Sequence, residues 1–251
     1  MRIKLINPNT TWSMTRLIGE CARAVAGPGT VVDAVSPSMG PPSIESHYDE
    51  ALSVPGLLAE IAQGEVDGVD GYVVACFGDP GLDAARELAR GPVVGIAEAA
   101  MRAAGFLGRG FSVITTLDRT RGRAWELADR YGLRAQCRNV RACEIPVLEL
   151  ESDPRAWPRI LDEARRAVEQ DGADAIVLGC AGMADLCGRL TDVLEVPVVD
   201  GVSAATLFVQ SLVTMRLSTG RHGEFASPRP KAYTGLLADF AVGRRAAALT
   251  R

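Results

Sequence analysis

The chain has 251 residues, of which 47% are hydrophobic, and a formal net charge of −4, so it can bury the core of one large α/β unit or of two domains of about 100 residues each. Its 27 basic residues are spread along the chain, which argues against nucleic-acid binding, and its longest uncharged run, residues 201–215, is shorter than the roughly 20 residues that span a bilayer. The six cysteines do not suggest a disulfide framework and no signal-peptide core precedes the first strand pattern, so we expect a cytoplasmic protein without membrane or nucleic-acid partners.

The N-terminal part of the chain alternates predicted strands with predicted helices. On the first helix, apolar residues recur at helical spacing, which predicts that Cys21 is a core residue, and the same reasoning applies to Cys187 on a later helix. The connection over residues 36–47 is long and rich in glycine and proline, and such loops at strand ends often line a functional site. The predicted strands cover residues 2–6, 30–35, 70–76 and 93–96, and the predicted helices follow residue 11 and cover residues 48–63 and 98–107.

Two apolar runs each end in a cysteine that is followed by a glycine turn. Residues 70–78 read Asp-Gly-Tyr-Val-Val-Ala-Cys-Phe-Gly, and residues 174–182 read Asp-Ala-Ile-Val-Leu-Gly-Cys-Ala-Gly. Each run predicts a buried parallel strand that delivers a thiol, Cys76 or Cys180, at its carboxyl end. The cysteines lie 104 positions apart, and the segments after them correspond as well. The pattern therefore predicts an internal duplication, with one thiol on each side of a shared cleft.

The second half of the sequence repeats the plan of the first. Its predicted strands cover residues 111–115, 133–140, 174–180 and 198–199, and its predicted helices cover residues 118–131, 154–171, the segment up to 193, and 202–215. A polar tail leads to a last predicted helix, residues 232–242, which is expected to pack on the first domain. We expect one α/β domain formed by residues 1–97 and 206–251 and a second formed by residues 98–205.

The residues after Cys76 predict the start of a helix. Aspartate is a common N-cap and proline is favoured at the first helical position, so Asp79 and Pro80 mark this start. The free N–H groups and the dipole at a helix N-terminus favour a thiolate or a bound oxyanion. The sequence therefore predicts that Cys76 is reactive.

Several cofactor classes lack their usual residues in this sequence. The only lysines are Lys4 and Lys231, and neither is a plausible Schiff-base lysine for pyridoxal phosphate. The two histidines, His47 and His222, do not have the spacing of a zinc site, and the sequence contains neither a P-loop nor a G-x-G-x-x-G after a strand. We therefore expect no metal and no cofactor, and a site built around thiols.

Two thiols on opposite sides of a cleft suit a reaction that inverts a carbon centre. A cofactor-independent racemase can remove a proton from one face of the substrate with one group and return a proton to the other face with a second. One thiol must then be a thiolate while the other is protonated, and the roles exchange with the direction of reaction. The carbanion needs hydrogen-bond donors that hold it as an enolate, for which we expect the backbone N–H groups of Phe77, Gly78, Ala181 and Gly182.

Five segments of the sequence together form a family pattern: residues 6–10 (Ile-Asn-Pro-Asn-Thr), 42–46 (Pro-Ser-Ile-Glu-Ser), 75–80 (Ala-Cys-Phe-Gly-Asp-Pro), 113–116 (Val-Ile-Thr-Thr) and 178–183 (Leu-Gly-Cys-Ala-Gly-Met). With them the chain resembles the aspartate/glutamate racemase superfamily, specifically its hydantoin and allantoin racemase branch, over nearly its whole length. The resemblance implies two pseudo-symmetric Rossmann-like α/β domains with mostly parallel sheets and an active-site cleft between them. It also implies a catalytic pair of cysteines, which falls on Cys76 and Cys180.

The residues after the cysteines indicate a small, neutral, cyclic substrate. Family members that racemise free amino acids typically have Asn-Thr or Thr-His after each cysteine, whereas this chain has Phe77-Gly78 and Ala181-Gly182. A neutral ring could bind to these backbone groups. Glu45 is expected to be a loop charge, Asp79 a helix cap and His47 a loop residue. The further residues that we expect to contact the substrate are Asn9, Ser43, Ile44, Thr115 and Thr116.

Other functions also fit parts of the sequence. The same superfamily includes amino-acid racemases, maleate isomerases and arylmalonate decarboxylases, but decarboxylation can proceed with a single cysteine, so the second thiol weighs against it. A thiol redox protein could pair Cys76 with Cys180, although no C-x-x-C motif supports this, and a non-catalytic binding protein could share the fold. Our leading hypothesis is a cofactor-independent hydantoin or allantoin racemase that forms a homo-oligomer.

Overall fold

The computed structural model of the chain describes residues 1–242, which form two parallel four-stranded sheets with helices packed on them. The first set of elements is β1 (Arg2–Ile6), α1 (Trp12–Val25), β2 (Val31–Val35), α2 (His47–Val66), β3 (Gly71–Val74), α3 (Leu82–Leu88), β4 (Val93–Gly95) and α4 (Ile96–Leu107). The second set is β5 (Phe111–Thr115), α5 (Arg121–Arg130), β6 (Cys137–Ala142), α6 (Ala156–Asp171), β7 (Ala175–Leu178), α7 (Cys187–Leu194), β8 (Val198–Asp200) and α8 (Gly201–Thr214). The predicted α/β fold is confirmed.

The two sheets have the same topology. Their strand orders are β2-β1-β3-β4 and β6-β5-β7-β8, and every pairing within them is parallel. In the centre of each sheet, Ile6 pairs with Val74 and Ile114 pairs with Leu178, so the carboxyl ends of the two central strands lie side by side. In open α/β sheets, ligands bind at this edge, where the strand order reverses. Cys76 and Cys180 follow these central strands.

The composition of the central strands follows from their position in the core. Every residue of β3, β5 and β7 is buried. Helices cover both faces of a parallel sheet, so its strands are continuous apolar runs instead of alternating patterns. This is why the two cysteine-terminated runs were recognisable as strands from their sequence.

Two helices cross from one sheet to the other. Helix α4 follows β4 of the first sheet but packs against β7 and β8 of the second, whereas α8 follows β8 and packs against β3 and β4 of the first. The chain therefore passes between the two sheets at the start of α4 and at the start of α8. The division into residues 1–97 with 206–251 and residues 98–205 remains a prediction. Within residues 1–242, no helix is long and apolar enough to cross a membrane, and this includes α8.

The crossing point of α4 and α8 is a close contact that requires glycine. A β-carbon at Gly201 would lie 2.3 Å from the Ile96 carbonyl oxygen and 2.8 Å from the Ile96 β-carbon. Gly201→Ala is therefore expected to lower the free energy of unfolding by about 1–3 kcal/mol, the usual cost of overpacking a core. Urea denaturation followed by circular dichroism measures this loss.

A matched control is available in α7, where a β-carbon at Gly188 would have no heavy atom within 4 Å. Gly188→Ala should leave stability unchanged or raise it by up to about 1 kcal/mol. Equal stabilities of the Gly201→Ala and Gly188→Ala variants would contradict the assignment of a tight crossing point.

The predictions of a helix directly after Cys76 and of a helix over residues 232–242 are both wrong. The helix after Cys76 does not begin at Asp79: α3 begins at Leu82, after Gly81 in the left-handed conformation, and Asp79 is itself left-handed at φ 45°. The predicted helix over residues 232–242 is a 3₁₀ helix, Gly235–Phe240, with no buried residue. A short segment that buries no apolar face lacks the packing that stabilises an α-helix. Residues 243–251, assigned to the first domain, lie outside the described residues.

Candidate active site

A cavity of about 200 Å³ lies at the carboxyl ends of the central strands of both sheets. Residues that follow β1 and β3 form one side of it, and residues that follow β5 and β7 form the other. The cavity is smaller than the roughly 300–1,000 Å³ of pockets that bind drug-sized ligands. Its size therefore suits a small molecule.

Most of the residues proposed from the sequence line this cavity. Those that do are Asn9, Ile44, Cys76, Phe77, Gly78, Thr115, Thr116, Cys180 and Ala181. Ser43 lies behind the wall, and its hydroxyl donates to Glu45 Oε2 at 3.2 Å. Gly182 is also outside the lining, with its N–H group directed at the Cys180 sulfur. Backbone contact between Gly182 and a ligand is therefore the least direct of the proposed contacts.

The turn that carries Cys76 is fixed at both ends by backbone hydrogen bonds. The Ala75 N–H extends the sheet by donating to the Ile6 carbonyl at 2.8 Å. The Asp79 N–H then donates to the Cys76 carbonyl at 2.9 Å and closes the turn. Inside it, Gly78 lies beside the thiol, since a β-carbon at Gly78 would be 3.9 Å from the Cys76 sulfur, and its N–H acts to lower the pKa of Cys76. The thiol is thereby held at the cavity wall beside a hydrogen-bond donor.

The turn that carries Cys180 repeats this arrangement. The Gly179 N–H donates to the Ile114 carbonyl at 2.8 Å, and the Met183 N–H donates to the Cys180 carbonyl at 3.1 Å. The Gly182 N–H acts to lower the pKa of Cys180, as the Gly78 N–H does for Cys76. A 3₁₀ helix, Ala181–Leu186, follows at once. The sequence match between the two cysteine segments therefore corresponds to matching local geometry.

Burial governs the ionisation of the two thiols. It raises the pKa of Cys76 to about 12, against the lowering effect of the Gly78 N–H, and negative charge at Cys180, Asp79 and Glu50 raises that pKa further. Burial also raises the pKa of Cys180 to about 12, against the Gly182 N–H. Because charge at one thiol raises the pKa of the other, the pair ionises one group at a time. The expected helix start beside Cys76, which was to favour its thiolate, is absent.

Polar groups of opposite hydrogen-bonding character lie on the two sides of the cavity. Asn7, which the sequence analysis did not single out, donates through its side-chain amide to Asn9 Oδ1 at 2.9 Å. The Asn9 Nδ2 group donates to Met14 Sδ at 3.4 Å, which leaves its second N–H for a ligand. On the other side, Thr120 donates its hydroxyl to the Leu117 carbonyl at 2.7 Å, so Thr115 is the donor in the 2.8 Å bond between the Thr115 and Thr120 hydroxyls. The Thr115 oxygen can then accept from a ligand N–H.

Charged side chains also line the cavity, and sequence reasoning missed most of them. Glu45, expected to be a plain loop charge, accepts from the Val147 N–H at 2.6 Å and so joins the two halves. Among residues 1–242, no group of three or more metal-binding side chains is placed to hold a metal ion. Glu45 and His47 belong to the loop over residues 36–47, which the sequence analysis expected to line the site, so their presence in the cavity wall could have been predicted. The acidic and basic lining residues are Glu45, His47, Glu50, Arg119 and Arg123.

Asp79 caps α4 instead of α3. Its carboxylate accepts from the backbone N–H groups of Ala97 at 3.1 Å and Glu98 at 3.0 Å, and from the Tyr131 hydroxyl at 2.6 Å. Burial raises the pKa of Asp79 to about 6, although all three donors act to lower it. The residue next to the Gly78 turn is thus tied to α4 and to the end of α5.

Tyr131→Phe removes one of these three donors and should lower the free energy of unfolding by about 1.5–3 kcal/mol at pH 8, the value of a hydrogen bond to a charged group. Losing a bond to the carboxylate raises the Asp79 pKa further, so the variant's deficit should shrink as the pH falls from 8 towards about 6 and stay small at pH 5, where Asp79 is neutral in both proteins. Urea denaturation at pH 8 and pH 5 measures both effects. Tyr48→Phe, at an exposed position, is the control, and an equal loss in both variants would contradict this role.

The chain is similar to known proteins over nearly its whole length. Residues 3–209 match the profile of the family described as Asp/Glu/Hydantoin racemase. A hydantoin racemase of Rhizobium meliloti is 52% identical over 236 residues, which cover 94% of this chain and 98% of that protein. A hydantoin racemase of Pseudomonas sp. (strain NS671) is 47% identical over 241 residues, which cover 96% and 97%.

Solved structures show the same relationship. Allantoin racemase from Klebsiella pneumoniae superposes with a TM-score of 0.94 at 50% identity, covering 96% of this chain and 99% of that one. Arylmalonate decarboxylase, at 18% identity and a TM-score of 0.60, covers 85% of this chain and 92% of that one and shares the fold alone. Enzymes that catalyse different reactions therefore share this fold. The relatives at 47–52% identity, in contrast, are all named hydantoin racemase or allantoin racemase.

Proposed function

The chain belongs to the Asp/Glu/hydantoin racemase family, and we propose that it racemises 5-substituted hydantoins, allantoin among them, without a cofactor and with Cys76 and Cys180 as its two bases. The observation that carries this proposal is the pair of matched thiols on one small cavity, each in a turn with the same glycine N–H contact. The names of the high-identity relatives support the substrate class.

The ring would lie between the two thiols with its C5–H directed at one of them. A thiolate on that side takes the C5 proton, and the electron pair moves into the adjacent carbonyl to give an enolate. The thiol on the other side then donates its proton to C5 as the carbonyl re-forms. The product is the opposite enantiomer, and the thiolate has changed sides, so the next turnover from that product restores the starting state.

The cavity offers the contacts that a neutral ring needs. A hydantoin presents carbonyl acceptors and ring N–H donors, and the amide of Asn9 and the hydroxyl of Thr115 supply one donor and one acceptor. Enolate charge needs donors placed where it develops. The backbone N–H groups of Phe77 and Ala181, both in the cavity lining, are our candidates for that role.

Gly78 and Gly182, in the turns after the two cysteines, have an additional role in this proposal. The Gly78 N–H acts to lower the pKa of Cys76, and the Gly182 N–H acts to lower the pKa of Cys180. They would stabilise whichever thiol is ionised. This differs from the sequence-based hypothesis, in which all four amides contacted the enolate.

The test is a panel of optically pure hydantoins with different 5-substituents, including allantoin, followed by circular dichroism. We expect loss of the signal without net loss of substrate, in buffer that contains EDTA and no added pyridoxal phosphate. Net loss of substrate would indicate a reaction other than racemisation. Persistence of the optical signal for every compound in the panel would contradict the proposal.

A further inference from the structure

The turn that carries Cys76 is held from the opposite half of the molecule. Arg123 lies on α5, after β5 of the second sheet, and donates through Nε at 3.2 Å and through Nη2 at 2.8 Å to the carbonyl oxygen of Gly78. Glycine has no side chain to restrict its backbone, so two hydrogen bonds to its carbonyl group restrict an otherwise free position. The same residue lies beside the thiol, since a β-carbon at Gly78 would be 3.9 Å from the Cys76 sulfur, and its N–H acts to lower the pKa of Cys76.

The guanidinium is oriented by a second contact. Its Nη2 donates to Glu50 Oε1 on α2 at 2.6 Å, and the two side chains are 25% and 19% exposed. Burial raises the pKa of Glu50, whereas Arg123 acts to lower it. A mostly buried arginine paired with a carboxylate keeps a defined direction, since its donors form a rigid fork. Arg123 therefore reaches Gly78 as a fixed group.

Gly78 is one of two adjacent residues that the second half holds. Asp79 accepts from the N-terminus of α4 and from Tyr131, and α4 packs on the second sheet. The turn after Cys76 thus belongs to the first half by sequence and is anchored to elements of the second. The position of this turn is therefore fixed by contacts with both halves.

The turn after Cys180 has a different environment. A β-carbon at Gly182 would lie 3.2 Å from Leu150 Cδ1 and 3.7 Å from Met14 Cε, so its neighbours are apolar side chains. The two thiols share one local geometry, but only the Cys76 turn rests on a charged clamp from α5. An effect that passes through Arg123 should therefore be confined to one face of the substrate.

We propose that Arg123 is a positioning residue for the Cys76 face of the site. It holds Gly78 so that its N–H remains directed at the Cys76 sulfur and stabilises the thiolate form of that cysteine. The inference deepens the proposed racemase function, in which Cys76 and Cys180 serve opposite faces, but its first test does not depend on that reaction.

The test measures alkylation of each cysteine by iodoacetamide in the unliganded protein, between pH 7 and pH 10, with mass spectrometry to assign the modified site. In Arg123→Gln, the rate at Cys76 should fall by about tenfold at each pH, because the thiolate loses an oriented donor. The rate at Cys180 should stay within about twofold of the wild-type value. A parallel change at both cysteines, or faster alkylation of Cys76, would overturn the proposal.

Three further variants distinguish a role of Arg123 in orienting the Cys76 turn from a general contribution to folding. Arg121→Gln is the matched control, because Arg121 lies on the same helix but bonds to Val140 and Asp118 of its own half. Arg123→Lys keeps the charge but loses the fork and should restore part of the Cys76 rate, which also provides a reading if Arg123→Gln folds poorly. Glu50→Gln keeps the bonds to Gly78 and should have the smaller effect. No restoration by lysine, together with loss of the folded dichroism signal in both arginine variants, would make the role structural and reject the proposal.

A racemase assay provides the second reading. The enantiomer that Cys76 deprotonates is defined as the one that still exchanges its C5 proton in Cys180→Ser. Arg123→Gln should slow exchange from that enantiomer about tenfold more than exchange from the other. Equal slowing would contradict face-specific positioning. If no hydantoin reacts with the wild-type protein, the alkylation rates still test the role of Arg123, because they require no substrate.

Discussion

Replacing Cys76 with serine, or Cys180 with serine, is expected to reduce racemisation by about 10²–10⁴-fold in both directions, the usual contribution of a positioned general acid or base. Each direction needs one group to remove the C5 proton and the other to return it, so neither thiol can be spared. Serine keeps nearly the same shape and can accept from the same glycine N–H. Its hydroxyl, however, ionises at far higher pH than a thiol and is a poor base in this role. Initial rates from each pure enantiomer, followed by circular dichroism, measure the effect.

Cys187→Ser is the matched control for this prediction. The Cys187 thiol lies outside the cavity lining and donates to the Val198 carbonyl at 2.9 Å, a bond that a serine hydroxyl can replace. Its activity should stay within about twofold of the wild type. A Cys76 or Cys180 variant that racemises as fast as the Cys187 variant would show that the cysteine in question only fills the strand end.

The pH dependence of racemisation is expected to be steep. Burial raises the pKa of both thiols to about 12, so below that pH the thiolate fraction is small and grows as protons leave. Turnover under limiting substrate should therefore rise by about tenfold per pH unit, or about 100-fold between pH 7 and pH 9. The rate increases with pH because the reaction requires the thiolate form of one cysteine, while the other cysteine stays protonated over this whole range.

The measurement needs a blank, since alkaline buffer also racemises hydantoins without enzyme. The rate of the Cys76→Ser variant at each pH supplies this blank together with any residual protein effect. Circular dichroism of the protein at each pH shows that the fold persists. A bell-shaped profile with its maximum near pH 7 would mean that a thiol is ionised well below the value that its burial imposes, and would contradict this electrostatic description of the site.

The fold could be predicted from the sequence because its signals are local. The runs that became β3 and β7 are continuous and apolar, and each ends in cysteine and glycine, so strand identity, direction and duplication all follow from short stretches. The family resemblance, carried by the same stretches, is confirmed by the family match over residues 3–209. Cys76 and Cys180 line one cavity, as the internal duplication predicted by placing one thiol on each side of a shared cleft.

The remaining parts of the site depend on contacts between residues far apart in the sequence. Asp79 reads as a cap for the helix that follows it, but its partner Tyr131 lies 52 positions later. Glu50 and Arg123 are 73 positions apart, and each alone resembles an ordinary charged residue on a helix. Propensity and periodicity describe one segment at a time, so neither the capping of α4 nor the clamp on Gly78 was accessible to them. The roles proposed for the residues around the cavity remain predictions.

The most direct test of the two-base proposal follows hydrogen exchange at C5 in the single cysteine variants. Each pure enantiomer of a reactive hydantoin is incubated in deuterated water with Cys76→Ser or Cys180→Ser, and its C5 proton signal is recorded by NMR together with its optical activity. We expect each variant to exchange the C5 hydrogen of one enantiomer with retention of configuration, the two variants to act on opposite enantiomers, and neither to invert its substrate. Exchange of both enantiomers by the same variant, or inversion at a near wild-type rate, would contradict a mechanism in which Cys76 and Cys180 each serve one face.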